Sequence, residues 1–256
     1  MSGLLVVNAD DWGGSEATTD AILRTFDTGR ITSTSGMVFM PDSERAAEIA
    51  TRRGLPVGLH LNLTEPFGDP HTPTAVRDRQ LRAVERLAGN GADGHPGTAR
   101  LRKWVYDPTI KADVDRAIAD QLERFEALYR RPPTHFDGHN YVDACPNVFL
   151  SRSIPAGSLI RNSLDRYPLV RSATGGLRGL RQRLRTRRLR STDYLLHIAQ
   201  LKLDDDTEPD PRLRLAKSTS VEVMGHPDNE AELAALMSPA WERVLGEYEL
   251  GSFADV

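Results

Sequence analysis

The chain is predicted to be an α/β protein built on parallel strands, and three features carry that expectation. Short apolar runs alternate with amphipathic stretches through the first 64 residues, an order that calls for parallel pairing with right-handed crossovers. The 256 residues are enough for a sizeable core, and no internal repeat or clean boundary divides them, so a single domain over 1–256 is expected. The composition is that of an ordinary soluble chain, 39% hydrophobic and 27% charged with a net charge of −3.

The first element is the apolar run Leu4-Leu5-Val6-Val7, which reads as a buried strand ended by Gly13-Gly14. Asp10 and Asp11 stand between them. Neighbouring acids resist ionising together, so such a pair persists where a cation sits between them or where one is needed as a base. The competing reading is that Asp11 or Ser15 only caps the next helix. That helix spans residues 16–28, with Ile22 and Phe26 spaced i, i+4 and Gly29 at its end. Residues 32–39 suit a second strand. Pro41-Asp42-Ser43 starts a helix that stops at Gly54, and residues 56–64 make a third strand. Residues 65–110, rich in Pro, Gly, Asp and His, show little period and are expected to be a long loop excursion. The stretch 112–130 is an amphipathic helix with Val114, Ile118, Leu122, Phe125 and Leu128 on one stripe, stopped by Pro132-Pro133. A strand over 134–143 follows. After an arginine-rich segment come a helix over 192–202, the acidic turn Asp204-Asp205-Asp206, a strand over 218–224 and a last helix at 230–246.

One cysteine, Cys145, excludes an intrachain disulfide framework and fits a reducing compartment. The opening Met1-Ser2-Gly3-Leu4 has no basic n-region, and no apolar stretch approaches the ~20 residues of a membrane span, so a cytoplasmic location is expected. Charge is uneven. Residues 161–190 hold ten arginines against Asp165, a local +9 that leaves −12 on the rest. Such a patch either attracts an anionic group of a substrate, with Arg187 and Arg188 as the candidates, or is a solvated helix face. It lacks the interleaved aromatics of a nucleic-acid stacking platform, so no nucleic-acid partner is expected.

Side chains alternate faces along a strand. In residues 58–64 the leucines 59, 61 and 63 point one way and His60, Asn62 and Thr64 the other. In residues 135–143, His135, Asp137, His139, Tyr141 and Asp143 would share one face. A solvated edge fits such a row poorly in a parallel sheet, whose strands are covered on both faces. Imidazole together with carboxylate is what zinc and similar divalent ions prefer. His226 leaves the end of an apolar strand just before Pro227, a placement that suits a general acid or base because catalytic groups cluster at strand C-termini.

These stretches resemble one family, the YdjC/ChbG-like carbohydrate deacetylases, distant relatives of NodB-type polysaccharide deacetylases. The likeness rests on Val-Asn-Ala-Asp-Asp-Trp-Gly (7–13), Val-Gly-Leu-His-Leu-Asn-Leu-Thr (57–64), Pro-Thr-His-Phe-Asp-Gly-His (133–139) and Glu-Val-Met-Gly-His-Pro (222–227). Weaker matches are Ser-Thr-Asp-Tyr (191–194) and the final Phe-Ala-Asp-Val. The resemblance implies an irregular (β/α) TIM-like barrel holding one divalent ion, zinc or magnesium, at the C-terminal ends of its strands. It implies Asp11, His60 and His139 as metal ligands, Asp10 as general base and His226 as the acid that protonates the departing amine. The substrate would be an N-acetylated sugar or glycoconjugate, its amide cleaved by a metal-bound water. Where many members continue with further histidines, this chain has Asn140-Tyr141-Val142-Asp143, which alters the pocket beside the ligand.

The chemistry fits the residues. Three protein ligands leave open positions for water and carbonyl oxygen, and amide hydrolysis needs a base, an oxyanion stabiliser and a proton donor for nitrogen. Two other readings are a phosphoesterase on the same scaffold, which the arginines favour, and a non-catalytic sugar binder, which would need neither Asp10 nor His226. The commonest assembly for such a chain is a homodimer.

Overall fold

The computed structural model describes residues 3–87, 105–163, 175–204 and 208–256. Its core is a sheet of parallel strands: β1 (Leu4–Trp12), β2 (Ser33–Gly36), β3 (Val57–Leu61), β4 (Phe136–Gly138), β5 (Tyr194–His197) and β6 (Ser220–Gly225). They lie in the order β4-β3-β2-β1-β6-β5, and a short β7 (Leu250–Gly251) also pairs with β1. The expected α/β class and parallel pairing are therefore observed. The sheet curls. Beyond β4, single parallel bridges join Phe136 to Ile160 and Leu159 to Arg190, which precedes β5 in the chain, in place of an unbroken ladder.

Alternation along the strands sorts the core into two faces. Leu5, Val7, Ala9, Val57, Leu59, Val221 and Val223 point outward into one large apolar cluster, which the helices cover. These are α1 (Glu16–Asp27), α2 (Ser43–Arg53) and α4 (Lys111–Tyr129), with α3 (Thr74–Leu87) between the last two. Ser15 caps α1 by accepting the Thr18 N–H, so the capping duty falls on Ser15 and leaves Asp11 available. Gly54 ends α2 in the left-handed region (φ 65°). The inner face carries Asn8, Asp10, Ser33, Ser35, His60, Asp137 and Glu222, all buried. Its floor is closed by a small apolar plug of Val6, Leu159 and Phe253.

Four expectations need correction. Residues 74–87 are helical, not loop; their apolar face is thin, with Gln80, Ala83 and Leu87 as the buried positions. Residues 194–197 form a strand, not part of a helix, because Leu195 and Leu196 pair with Glu222 and Val223 of β6. The last helix is two, α5 (Glu230–Leu236) and α6 (Pro239–Glu247), separated where Ser238 begins a new cap ahead of Pro239. The strand over 134–143 shrinks to Phe136–Gly138, after which His139–Ala144 turns as a 3-10 segment with Asn140 (φ 53°) and Tyr141 (φ 59°) left-handed. The row 135–143 therefore does not share one face. The rest of the excursion, 88–104, part of the arginine-rich segment, 164–174, and most of the acidic turn, 205–207, lie outside the described residues.

Close packing on the inner face leaves a readable demand on one glycine. A Cβ at Gly58 would overlap the ring of His135. That ring cannot retreat, because it stacks on Phe253 with centroids 3.6 Å apart. Gly58→Ala is expected to lower stability by about 1–3 kcal/mol, the usual penalty of overpacking, measured as a shift in the denaturant midpoint.

Candidate metal and catalytic centre

Neighbouring residues of a strand normally face opposite ways, so Asp10 and Asp11 should diverge. They do not. The β1–β2 register shifts between Ala9 and Trp12, and Asp11 takes a left-handed backbone (φ 70°). This bulge re-aims the second carboxylate toward the same end of the sheet as the first. Asp11 Oδ1 then lies 3.2 Å from His60 Nε2. Backbone strain of this kind is held only where the surroundings fix it.

Beneath the pair lies the element that organises the site. Arg161 is 1% exposed and is ringed by three buried acids. Its Nη1 and Nη2 donate to the two oxygens of Asp10, each at 2.6 Å, and its Nε donates to Glu222 Oε1 at 2.7 Å. Nη2 also sits 2.9 Å from Asp137 Oδ2. Asn8 and Ser35 add donors to Asp10 Oδ1 at 2.9 and 3.4 Å. Burial pushes the Asp10 carboxyl up, and the Arg161 guanidinium more than offsets it, holding the group below its ordinary range. The same balance takes Asp137 well below. Glu222 is the exception: burial outweighs Arg161 and lifts it to about 8.

Each histidine of the site is oriented from behind. His60 Nδ1 faces Asp137 Oδ1 at 2.9 Å, which turns Nε2 to Asp11. His139 Nδ1 meets Thr64 Oγ1 at 2.7 Å. The two rings stand edge to face with centroids 5.8 Å apart. Burial disfavours a proton on His60, yet Asp137 and Asp11 raise it well above the ordinary range. His139, by contrast, is lowered by burial and by the charge of His60. His226, at the end of β6, has Nδ1 3.2 Å from Glu232 Oε2, which also accepts the His226 backbone N–H at 2.8 Å. Its Nε2 lies 4.0 Å from Asp10 Oδ2. Burial works against its charge, but Glu232 and Asp10 push it up to about 9. Burial also lifts Asp11, and the hydrogen bond and charge of His60 bring it down to about 2.

All five expected residues thus meet at one end of the sheet. Asp10, His60, His139, Tyr141 and His226 line a cleft of about 170 Å³, and Asp11, His139 and His226 border a wider basin of about 410 Å³ beside it. The donors fit a divalent ion. Asp11 Oδ1 is buried and meets only His60 Nε2, at 3.2 Å, and His60 and His139 each have Nδ1 engaged, the usual support for a metal-binding Nε2. Asp10, His60 and Asp137 also bring ligand atoms within 4.8 Å of one another and could hold a metal. Arg161 already supplies the positive charge at Asp10 and Asp137, which leaves Asp11, His60 and His139 as the candidate ligands nearer the mouth.

Sequence reasoning missed the supporting residues. Asp137 and Thr64 were visible only as members of a polar strand face and a motif, Glu222 only as part of a motif, and Glu232 as nothing in particular. Arg161 was counted in the basic patch. Among the described residues, four arginines of that patch, Arg161 included, turn inward: Arg185 donates to the Arg161 carbonyl at 2.9 Å, Arg181 to that of Ala144, and Arg188 to those of Ser151 and Ile154. Arg188 is therefore engaged with backbone, while Arg187 is exposed.

Fold and site together define a parallel α/β protein with a buried acid–histidine centre at the C-terminal ends of its strands. The chain belongs to the YdjC-like protein family, whose model matches residues 4–247. It is 34% identical over 155 residues to chitooligosaccharide deacetylases of Yersinia pestis and Yersinia pseudotuberculosis, a match covering 58% of this chain and 54% of each relative. The chain thus spans about half the length of the curated relatives it matches. A proposed cellobiose-phosphate cleavage protein of Enterococcus faecalis has the same fold, with a TM-score of 0.67 at 20% identity, covering 100% of this chain and 99% of that one. Among the described residues no helix is long and apolar enough to cross a membrane.

Removing Arg161 would strand three buried acids. Arg161→Met is expected to cost about 3–5 kcal/mol, the range for breaking a buried ion pair, read from urea unfolding.

Proposed function

We propose that this protein is a metal-dependent carbohydrate deacetylase that hydrolyses the N-acetyl group of an amino sugar on a TIM-like barrel scaffold. The observation that carries the reading is the meeting of Asp10, His60, His139 and His226 on one cleft with Asp11 on the basin beside it, the proposed acid His226 standing 4.0 Å from the proposed base Asp10. The relatives named chitooligosaccharide deacetylases support an N-acetylated sugar as the substrate class.

Asp11, His60 and His139 would hold the ion. When bound, it would supply Lewis acidity to the acetyl carbonyl and lower the pKa of water. Asp10, kept ionised by Arg161, accepts the proton of the attacking water. Both its oxygens are fixed by Arg161, so its orientation is set before substrate arrives. His226 carries the opposite duty. Glu232 keeps its ring charged at neutral pH, so a proton stands ready at Nε2 for the amide nitrogen as the C–N bond breaks. Tyr141, brought over the cleft by its left-handed backbone, would contact the sugar.

Acetate release from a panel of N-acetylated amino-sugar oligomers, with phosphate release as control, tests the reading. No acetate from any of them would sink it. His226→Ala is expected to lower kcat by about 10²–10⁴ while the bound ion is retained. Asp11→Ala is expected to lose the ion itself, as read by elemental analysis of the purified protein.

A further inference from the structure

A second group of ligand-type side chains converges beside the first. His197, His226 and Glu232 bring one ligand atom each within 4.8 Å of one another. His197 ends β5 and accepts the Ala199 N–H at Nδ1 (3.1 Å), which directs Nε2 toward Glu232 Oε1 at 3.8 Å. His226 Nδ1 faces the other oxygen, Oε2, at 3.2 Å. One carboxylate thus presents each of its oxygens to a different imidazole. The two rings are 5.7 Å apart, and both line the cleft, so an ion can reach them from solvent. Zinc held at ~2.0–2.1 Å by tetrahedral ligands sets its donors ~3.3 Å apart, close to the spacings observed.

We propose that His197, His226 and Glu232 form a second divalent-cation site, separate from Asp11, His60 and His139, that takes zinc or a zinc-like ion and opposes catalysis when filled. The inhibition rests on the reading of His226 as proton donor; the binding does not. An ion on His226 Nδ1 takes the place of the proton shared with Glu232. The ring then keeps only its Nε2 proton, and surrendering that one would leave an imidazolate instead of a neutral imidazole. The departing nitrogen receives no proton. A divalent ion thus serves the reaction at one centre and opposes it at the other.

The test is a calorimetric titration of the metal-stripped 256-residue chain with zinc chloride, run beside the acetate assay. Wild type is expected to take up two equivalents, the second more weakly, and its rate to rise and then fall about tenfold or more as the second fills. His197→Asn keeps an acceptor for the Ala199 N–H while removing Nε2. It is expected to bind one equivalent, melt with wild type and show no fall; His197→Gln replaces it should the asparagine variant melt early. Asp11→Ala is expected to lose the tight equivalent and keep the weak one. Excess magnesium, which prefers oxygen to imidazole, is expected to cause no fall. One equivalent in wild type, or two in both His197 variants, overturns the second site. Two equivalents with no fall in rate overturn its inhibitory role. Two equivalents with no acetate released under any condition sink the deacetylase reading and leave the second site standing.

Discussion

The site depends on one buried guanidinium. Arg161 joins Asp10 of β1, Asp137 of β4 and Glu222 of β6, three strands that meet around it at the inner face of the sheet. An unpaired carboxylate in such a place would cost several kcal/mol or give up its charge. The planar fork of arginine holds Asp10 by two parallel bonds, meets Asp137 through Nη2 and Glu222 through Nε, which a lysine cannot do. Its own carbonyl is held by Arg185, a second buried arginine that helps to position the cluster.

With that base in place, the upper layer follows from local geometry. Asp137 is anchored to Arg161 on one oxygen and fixes His60 Nδ1 with the other. His60 then presents Nε2 to Asp11, which reaches it only because the bulge in β1 breaks the alternation of faces. The adjacent acids are thereby divided in environment. Asp10 faces the arginine, and Asp11 faces the histidines. Each is held ionised by a different cation, which removes the like-charge conflict that makes the pair unusual in a sequence.

How far this could be read from residues alone differs between elements. Strand β1 was legible as a continuous apolar run and β3 and β6 by alternation of apolar with other positions, and the motifs at their ends contain Asp10, Asp11, His60 and His226, with His139 following the short β4. Helix 74–87 was not, because it turns only a few small or polar residues to the core. The short run Tyr194–His197 fits helix and strand equally until β6 supplies its partner. Arg161 left no local signal. It lies outside the regular strands, and its three partners come from positions 10, 137 and 222. A patch of ten arginines looks like surface charge, and only the fold reveals that Arg161 and Arg185 are buried.

The charge balance of the inner face explains why a cation belongs at its mouth. Glu222, lifted to about 8, keeps its proton near neutrality, so Asp10, Asp11 and Asp137 stand as carboxylates against Arg161. That excess of negative charge is what holds a proton on His60 despite full burial. A field strong enough to keep an imidazolium in a dry interior also favours a divalent ion on the same ligands, with the proton released as the ion binds. Arg161 stops the excess from being satisfied deeper in the sheet. Among the described residues the excess is left at the open edge, where His60, His139 and His226 face the cleft and Asp11 the basin beside it.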